Sequence, residues 1–366
     1  IKGSYPTDLD DNLIIDSMEE LDSREILVQS GEEEIYDYIF KNLLTQEVAY
    51  NSLLFSHRRE YHKRIGFCLE TIYCDSLSDW YDELARHYQQ TDEHPKAINY
   101  LKKAGDKAFD IYANEYARSC YSKALKRASS EDYPQERFRL LNMREKVLTF
   151  LGRLDDRKKD LDELLELGYR TSDKKGIVSV LFSLSGYYQR SHELDKMKKV
   201  IDEANEILKT IDFPFGQINI NSSAGDWFYL QNKVVEALEK WTISESEAER
   251  IGDDIGLSAV LISIGVAHKA LGNYEKAFES YYKSVEIGRK IGNKKFEAIS
   301  LGNIGVLHHI RGDLDKALEA YTQALEIAKS IGSKQTQTLY LGNVATIYKR
   351  KGEKDRALKS YQDLYA

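Results

Sequence analysis

The sequence repeats itself at a fixed interval of forty residues, and this repeat limits the possible fold more than any other feature. Residues 301–332 read LGNIGVLHHIRGDLDKALEAYTQALEIAKSIG, a pattern of two amphipathic helices joined by a tight turn. The positions that recur are Leu261 and Leu301, Gly265 and Gly305, Gly272 and Gly312, Ala277 and Ala317, Tyr281 and Tyr321, and Gly292 and Gly332, with Leu341, Gly352, Ala357 and Tyr361 at the C-terminal end. Because one helix pair cannot bury its own apolar face, this period predicts a solenoid of stacked pairs.

Within one unit, the residue types follow the needs of a helix–turn–helix. Leu301 and Ile304 fall on one stripe of the first helix, and Gly305 within that stripe allows close approach of a partner helix. Gly312 follows the last turn, where glycine readily takes the left-handed conformation that ends a helix. Asp313 is expected to cap the second helix.

The second helix carries a small residue followed by a large aromatic one, Ala317 and Tyr321, which predicts a crossing point filled by the ring. Counting back in steps of forty gives Ala237 with Trp241, Met197 with Ile201, Arg157 with Leu161, and Ala117 with Tyr121. The frame never slips, but the middle units lose the small residue. We expect those units to pack more loosely or at a different angle.

These positions resemble the tetratricopeptide repeat (TPR). The family's small residue in the first helix corresponds to Gly265, Gly305 and Ala345. The units are forty residues long instead of about thirty-four and lack a proline after the second helix, as in longer-helix variants with a Leu-Gly-Asn signature, here residues 301–303 and 341–343. The resemblance implies an all-α fold: a right-handed TPR superhelix, an α-solenoid of antiparallel helix pairs, with a small N-terminal α/β winged-helix-like remnant.

The N-terminal segment carries that remnant. Residues 25–29 and 35–40, separated by a turn at Ser30-Gly31, alternate in the manner of a hairpin, and residues 47–72 are predicted to be helical. The run from Ile35 to Glu70 is similar to the junction between the ATPase module and the helical repeats of large bacterial signalling proteins. These include class III adenylate or guanylate cyclases, some kinases, and transcriptional activators of the signal-transducing ATPase type.

The residues that carry this second resemblance are Phe40, Gln46 to Tyr50, Arg58, Arg59 and His62. The likeness continues through Ala85, His87, Tyr88, Ala97, Leu101, Ala104-Gly105, Ala108, Tyr112-Ala113-Asn114, Ala117 and Tyr121. Phe40-Lys41-Asn42 departs from the Phe-Arg-His usual there. Since the chain starts at Ile1, without methionine, we interpret it as part of a longer protein.

The two resemblances divide the chain into five segments. They are a linker and short helix at 1–24, the end of a winged-helix-like module with connecting helices at 25–75, divergent TPR-like helices at 76–130, degenerate forty-residue units at 131–254, and well-formed units at 255–366.

Composition excludes several function classes. The formal net charge of −8 argues against nucleic acid as a partner, and no apolar run approaches the ~18 residues of a membrane span. The three cysteines lack metal-site or disulfide patterning, which favours a reducing, cytoplasmic setting. His57 and His62 are five residues apart and do not form the i, i+4 metal pair. No phosphate loop or catalytic constellation is present, so neither a cofactor nor catalysis is expected.

A helical solenoid instead offers a groove lined by its first helices. Asn303 and Asn343, with Ser263 and Ser223 as their equivalents, are expected to point into it, and His309, Lys349 and Arg350 are expected near its edge. An asparagine amide can both donate to and accept from a peptide backbone. The alternatives are that the asparagines bond neighbouring helices or water, and that the basic residues form a solvated helix C-terminus.

We therefore expect a non-catalytic scaffold, the TPR region of a larger signalling protein. It would bind a peptide or a partner domain in its groove, and that domain could be an upstream domain of the same protein. One alternative is a regulatory or oligomerisation region of an adenylate or guanylate cyclase or AAA-type ATPase, with a second copy as partner. Another is a free-standing TPR adaptor.

Overall fold

The computed structural model describes residues 11–30 and 37–365, and these residues are mostly helical. They form two compact units that divide between Arg153 and Leu154. The long amphipathic helices expected from the repeat are present in both units, and the all-α prediction is confirmed.

A short antiparallel hairpin lies near the start of the N-terminal unit. Helix α1 (Asp11–Ser23) is followed by strands β1 (Leu27–Ser30) and β2 (Asp37–Phe40), with Leu27 opposite Phe40. The predicted strand pair is therefore present, with β1 beginning two residues later than expected. Residues 31–36, which include the glycine of the predicted turn, lie outside the described residues.

Helices make up the rest of the N-terminal unit. They are α2 (Leu43–Ser52), α3 (Phe55–Ile72), a 3-10 helix (Cys74–Trp80), α4 (Tyr81–Tyr88), α5 (His94–Asp110), α6 (Asn114–Leu125) and α7 (Pro134–Leu151). The sequence predicts one helix over residues 47–72, whereas the structure has two. Leu53 and Leu54 have extended ψ angles of 139° and 145°, which interrupt the helical hydrogen bonds between α2 and α3.

The C-terminal unit consists of helices alone. They are α8 (Leu154–Arg170), α9 (Lys174–Arg190), α10 (Leu194–Leu208), α11 (Pro214–Leu230), α12 (Val234–Ile251), α13 (Asp254–Ala270), α14 (Tyr274–Lys290), α15 (Lys294–Arg311), α16 (Leu314–Ser330), α17 (Lys334–Lys351) and α18 (Lys354–Tyr365). From α9 onward, odd-numbered helices are the first of each pair and even-numbered helices the second. Both series begin at intervals of forty residues, so the frame read from the sequence is confirmed.

The turns inside the pairs are closed by the glycines that the pattern identifies. Gly312 has a φ of 85°, in the left-handed region that a Cβ disfavours, and the amide of Asp313 then donates to the carbonyl of His308. The expected capping by Asp313 is wrong in one respect. Asp313 occupies the N-cap of α16, but its carboxylate makes no capping bond and lies 3.6 Å from Nδ1 of His308.

Large rings over glycines hold the two helices of a pair together. A Cβ on Gly265 would collide with the ring of Tyr281, and one on Gly225 would collide with Trp241. Both rings are almost fully buried. In the middle of the chain, Arg157 occupies the small-residue position; it is buried and donates a hydrogen bond to the carbonyl of Ser183.

Candidate functional site

The first helices of the C-terminal unit pack side by side. Helix α11 contacts both α9 and α13, and α13 contacts α15. Each first helix also packs on the second helices that flank it in sequence, and this contact buries one side of it. The opposite stripe of α13, α15 and α17 is half-buried to exposed, whereas on α11 this stripe includes the buried Ser223.

On α15 this water-facing stripe is unusually apolar. Residues 295, 299, 303, 306 and 310 follow the four- and three-residue steps of one helical face, and none of them is buried. Ile299, Val306 and Ile310 are three of the five, and Ile310 is 51% exposed. Val306 is half-buried and packs partly against the core, Ile299 is half-buried, and Ile310 is the most open of the three.

The same positions continue the surface onto the neighbouring first helices. We define the first-helix face as Ile255, Ala259, Ser263, Val266 and Ala270 on α13; Lys295, Ile299, Asn303, Val306 and Ile310 on α15; and Leu339, Asn343, Thr346 and Arg350 on α17. Ile255 and Leu339 are 60% and 58% exposed. Contiguous exposed apolar residues rimmed by polar ones are typical of interaction surfaces.

Asn303 and Asn343 lie among the apolar residues of this face, and their role in lining a binding groove stays a prediction. Both are half-buried, and in the described part of the chain neither side-chain amide makes a hydrogen bond to another residue. Of the alternatives considered for them, a bond to a neighbouring helix is therefore not observed. Each amide keeps its donors and its acceptor available to water or to a ligand.

The two serines predicted as equivalents differ from each other. Ser263 is half-buried on the first-helix face. The placement of Ser223 in the groove is wrong, because this residue is 3% exposed and its hydroxyl is 2.7 Å from that of Ser185. Helix α11 packs closely on α9, and residue 185 is a serine at the position that Gly265 and Gly305 occupy in later units. The two hydroxyls therefore satisfy each other inside the helix contact.

The predicted basic edge lies at the C-terminal ends of α15 and α17. Lys349 and Arg350 are exposed, and His309 is half-buried. Burial lowers the pKa of His309, and the positive charge of Arg350 lowers it further, so the two side chains are near each other. The neutral form of His309 is thereby favoured near neutral pH.

The structure indicates two further cationic residues, Lys295 and Arg190, that the sequence pattern does not predict as site residues. Lys295 is open to solvent. Nevertheless, the protein around it, and then the charge of Arg190 at the end of α9, lower its pKa. Residues 190 and 295 are far apart in sequence, so no local pattern could have connected them.

Asp226 on α11 was also missed, although the frame contained a signal. It stands where later units have Val266 and Val306. Its Oδ1 accepts a hydrogen bond of 3.2 Å from Nε1 of Trp241. Burial raises the pKa of Asp226 to about 7, against the opposing effect of its hydrogen bonds to Trp241 and Gln189.

In the N-terminal unit, the histidine tested for metal binding has other contacts. Nε2 of His62 lies 2.9 Å from the hydroxyl oxygen of Tyr50, and Nδ1 of His62 lies 2.9 Å from Nδ1 of His87. Within residues 11–30 and 37–365, no three or more potential ligands cluster in a way that could hold a metal ion. Over the same residues, no helix combines the length and apolarity needed to cross a bilayer.

Comparison with known proteins agrees with this architecture. The family model of the tetratricopeptide repeat matches residues 256–330. No curated protein matches the sequence. Among solved structures, a Rap protein complexed with Competence and Sporulation Factor has a TM-score of 0.60 at 14% identity, covering 89% of this chain and 91% of its own.

Two further structures extend the match to almost the whole chain. The apo form of the quorum sensor NprR from B. thuringiensis has a TM-score of 0.60 at 13% identity, covering 97% of this chain and 96% of its own. A signal transduction ATPase with numerous domains and a tetratricopeptide repeat sensor, from Pyrococcus horikoshii, has a TM-score of 0.54 at 17% identity. That match covers 98% of this chain but 52% of the ATPase. At these identities the likeness concerns the fold, which is a TPR-like helical solenoid.

Proposed function

We propose that the first-helix face binds an extended peptide segment of a protein partner. The observation that carries this proposal is the pair of asparagine amides, on Asn303 and Asn343, that make no hydrogen bond to another described residue and lie on an accessible, partly apolar surface. Amides so placed can hold a peptide backbone, while Ile299, Val306 and Ile310 offer contact to its apolar side chains.

The spacing of the two asparagines suits an extended chain. They occupy the same position on successive first helices, and packed helices lie about 8–10 Å apart. An extended peptide advances about 3.3 Å per residue, so one that crosses the helices presents roughly every third residue to an asparagine. Main-chain hydrogen bonds would supply affinity, and the apolar stripe would select side chains.

Charge on the same surface favours a peptide with an acidic residue. Lys295 and Arg350 lie on the first-helix face, and Arg190 is close enough to Lys295 to lower the pKa of that lysine. The basic edge at Lys349 and Arg350 has the same preference.

The structural neighbours support a signalling role of this kind. One is a Rap protein in complex with a factor, one is a quorum sensor, and one is an ATPase whose repeats are described as a sensor. We infer that this chain is the repeat region of a larger signalling protein. A regulatory region of a nucleotide cyclase and a free-standing adaptor remain the alternatives.

A peptide probe for the first-helix face can be selected from a random dodecapeptide library displayed on phage. The folded chain serves as the bait. The selected peptide is then titrated calorimetrically into the native chain and into the double variant Asn303→Ala, Asn343→Ala. Loss of two hydrogen bonds at about 1 kcal/mol each predicts binding at least tenfold weaker, with unchanged helicity.

Gln323→Ala is the control, because it removes a half-buried amide, which donates to Glu319, from the second helix α16 and leaves the first-helix face unchanged. It should leave the affinity unchanged. Equal affinity of the double variant and the native chain would refute the assignment of the face, as would failure to select any binding peptide.

The parent protein is tested separately. An antibody raised against this chain, used on lysate of the source cells, should detect a band far above 42.2 kDa if the repeats belong to a larger protein. A band near that mass would favour the free-standing adaptor.

A further inference from the structure

A second candidate site lies between α10 and α11, outside the first-helix face. A cleft of about 500 Å³ opens there, with Lys240 of α12 at its side. Its volume falls within the roughly 300–1,000 Å³ of small-molecule sites. Ile201, Leu208, Ala224 and the rings of Trp227 and Phe228 supply its apolar lining.

The cleft exists because polar residues replace the aliphatic contacts of other repeats. Asn221 stands one and two periods before Leu261 and Leu301, and both leucines are buried. Asn205 stands in the same way two and three periods before Val285 and Leu325, which are buried too. The contacts of α14 with α15 and of α16 with α17 have aliphatic side chains at these positions, whereas this repeat has amides and the next one has Glu245 in place of Asn205.

These amides are not used inside the protein. Among the residues that the structure describes, the side chains of Asn205, Asn221 and Gln217 make no hydrogen bond, and all three line the cleft. An amide in place of a leucine buries less apolar surface, and without an intramolecular hydrogen bond nothing offsets that loss of stability. Asn205 and Gln217 are exposed and Asn221 is half-buried, so all three amides are open to water or to a ligand that enters the cleft.

One cation of the cleft is also available. Lys198 is paired with Asp202, and Lys209 with Glu206 at 2.7 Å. Lys240 is half-buried and forms no ion pair within the described residues, whereas later repeats have Ser280 and Ala320 at its position. The cleft therefore presents one uncompensated positive charge, which matches a ligand with one negative charge.

We propose that this cleft binds a small organic carboxylate with an aromatic or apolar body. The carboxylate would pair with Lys240 and accept hydrogen bonds from the amides of Asn205 and Asn221. The body would lie against Trp227, whose indole N–H already donates to the carbonyl of Leu194 at 3.0 Å and so fixes the ring. This proposal is independent of peptide binding, since it uses none of the residues of the first-helix face.

Three naphthalene derivatives that differ in charge test the proposal. 2-Naphthoate, 2-naphthamide and 2-naphthylmethylammonium share a ring and differ in charge. The chain contains three tryptophans, so incorporation of 5-fluorotryptophan gives three ¹⁹F resonances, and Trp227→Phe identifies the one that reports on the cleft. Naphthoate should shift that resonance saturably, with an affinity at least tenfold above that of the amide, and the cation should not bind.

Two variants separate the charge from the cavity. Lys240→Met should weaken naphthoate about tenfold and leave naphthamide unchanged, whereas Lys316→Met, at an exposed lysine of α16, should alter neither. Asn221→Leu restores the residue of later repeats and should abolish binding of both probes without lowering the melting temperature. The proposal is overturned by equal affinity for naphthoate and naphthamide, by binding that Asn221→Leu leaves intact, or by the absence of a saturable shift.

Discussion

The ring of Tyr321 lies directly over Gly305, so that a Cβ built on this glycine would be 2.7 Å from the Cδ1 and Cε1 atoms of the ring. Tyr321 is 2% exposed, and it cannot move without disturbing the core of α15 and α16. A glycine inside a helix costs about 1 kcal/mol relative to alanine. Here the close approach of the ring requires it.

Gly305→Ala should therefore destabilise the protein, by about 1–3 kcal/mol through overpacking. Gly186 is the matched control, because it is inside α9 and a Cβ there would meet nothing within 4 Å. Gly186→Ala should stabilise by about 0.5–1 kcal/mol. Urea unfolding of both variants measures the two effects, and equal shifts of the same sign would contradict the role of the ring.

Asn303→Leu should separate stability from binding. The amide has no partner in the described part of the chain, and Ile299 and Val306 border it on the same stripe. A leucine there gains apolar contact, so we expect the free energy of unfolding to stay equal or to rise by up to about 1 kcal/mol, with loss of peptide binding. Thr322→Leu on α16 should show no loss of binding. A substantial fall in stability for Asn303→Leu would mean that the asparagine is structural.

Asp226 should make stability depend on pH. Its pKa rises from 3.8 to about 7 on folding, so the folded state holds the proton more tightly than the unfolded state. The protonated carboxyl therefore contributes its full stabilisation to the free energy of unfolding below pH ~4, and this stabilisation is lost as the pH rises through 7. From pH 5 to pH 8, the native chain should lose about 2–3 kcal/mol relative to Asp226→Asn. Parallel pH profiles of the two proteins in chemical denaturation would contradict the elevated pKa.

Ser284 on α14 forms hydrogen bonds with buried serines on the two helices that flank it, α13 and α15. Its hydroxyl is 2.9 Å from the hydroxyls of both Ser258 and Ser300, and all three residues are fully buried. Ser284→Ala removes the shared partner and should cost about 1–3 kcal/mol. Ser330→Ala, at an exposed serine, should change the free energy of unfolding by less than about 0.5 kcal/mol. Equal, small effects in thermal unfolding would show that the other two hydroxyls find new partners.

Local chemistry made much of the fold readable from the sequence. The forty-residue frame predicted where each pair begins, since glycines, small residues and aromatics are required at turns and crossings whatever their neighbours are. The same frame placed Asn303 and Asn343 on an accessible face of their helices. The break at Leu53 and the failure of Asp313 to cap α16 were not readable, because they depend on backbone angles and side-chain orientations that several residue types permit.

The contacts between helices distant in sequence depend on tertiary structure. Ser223 and Ser263 occupy the same position of the repeat, yet only Ser223 is buried, because Ser185 meets it from the preceding first helix. The charge of Arg190 lowers the pKa of Lys295, and Asn205 and Asn221, on different helices, line the cleft beside Lys240. The repeating unit follows from local sequence, because the periodicity of apolar residues defines its helices. The stacking of the units determined which equivalent positions are buried, which charges meet and where a cavity remains, since these depend on the distances between helices.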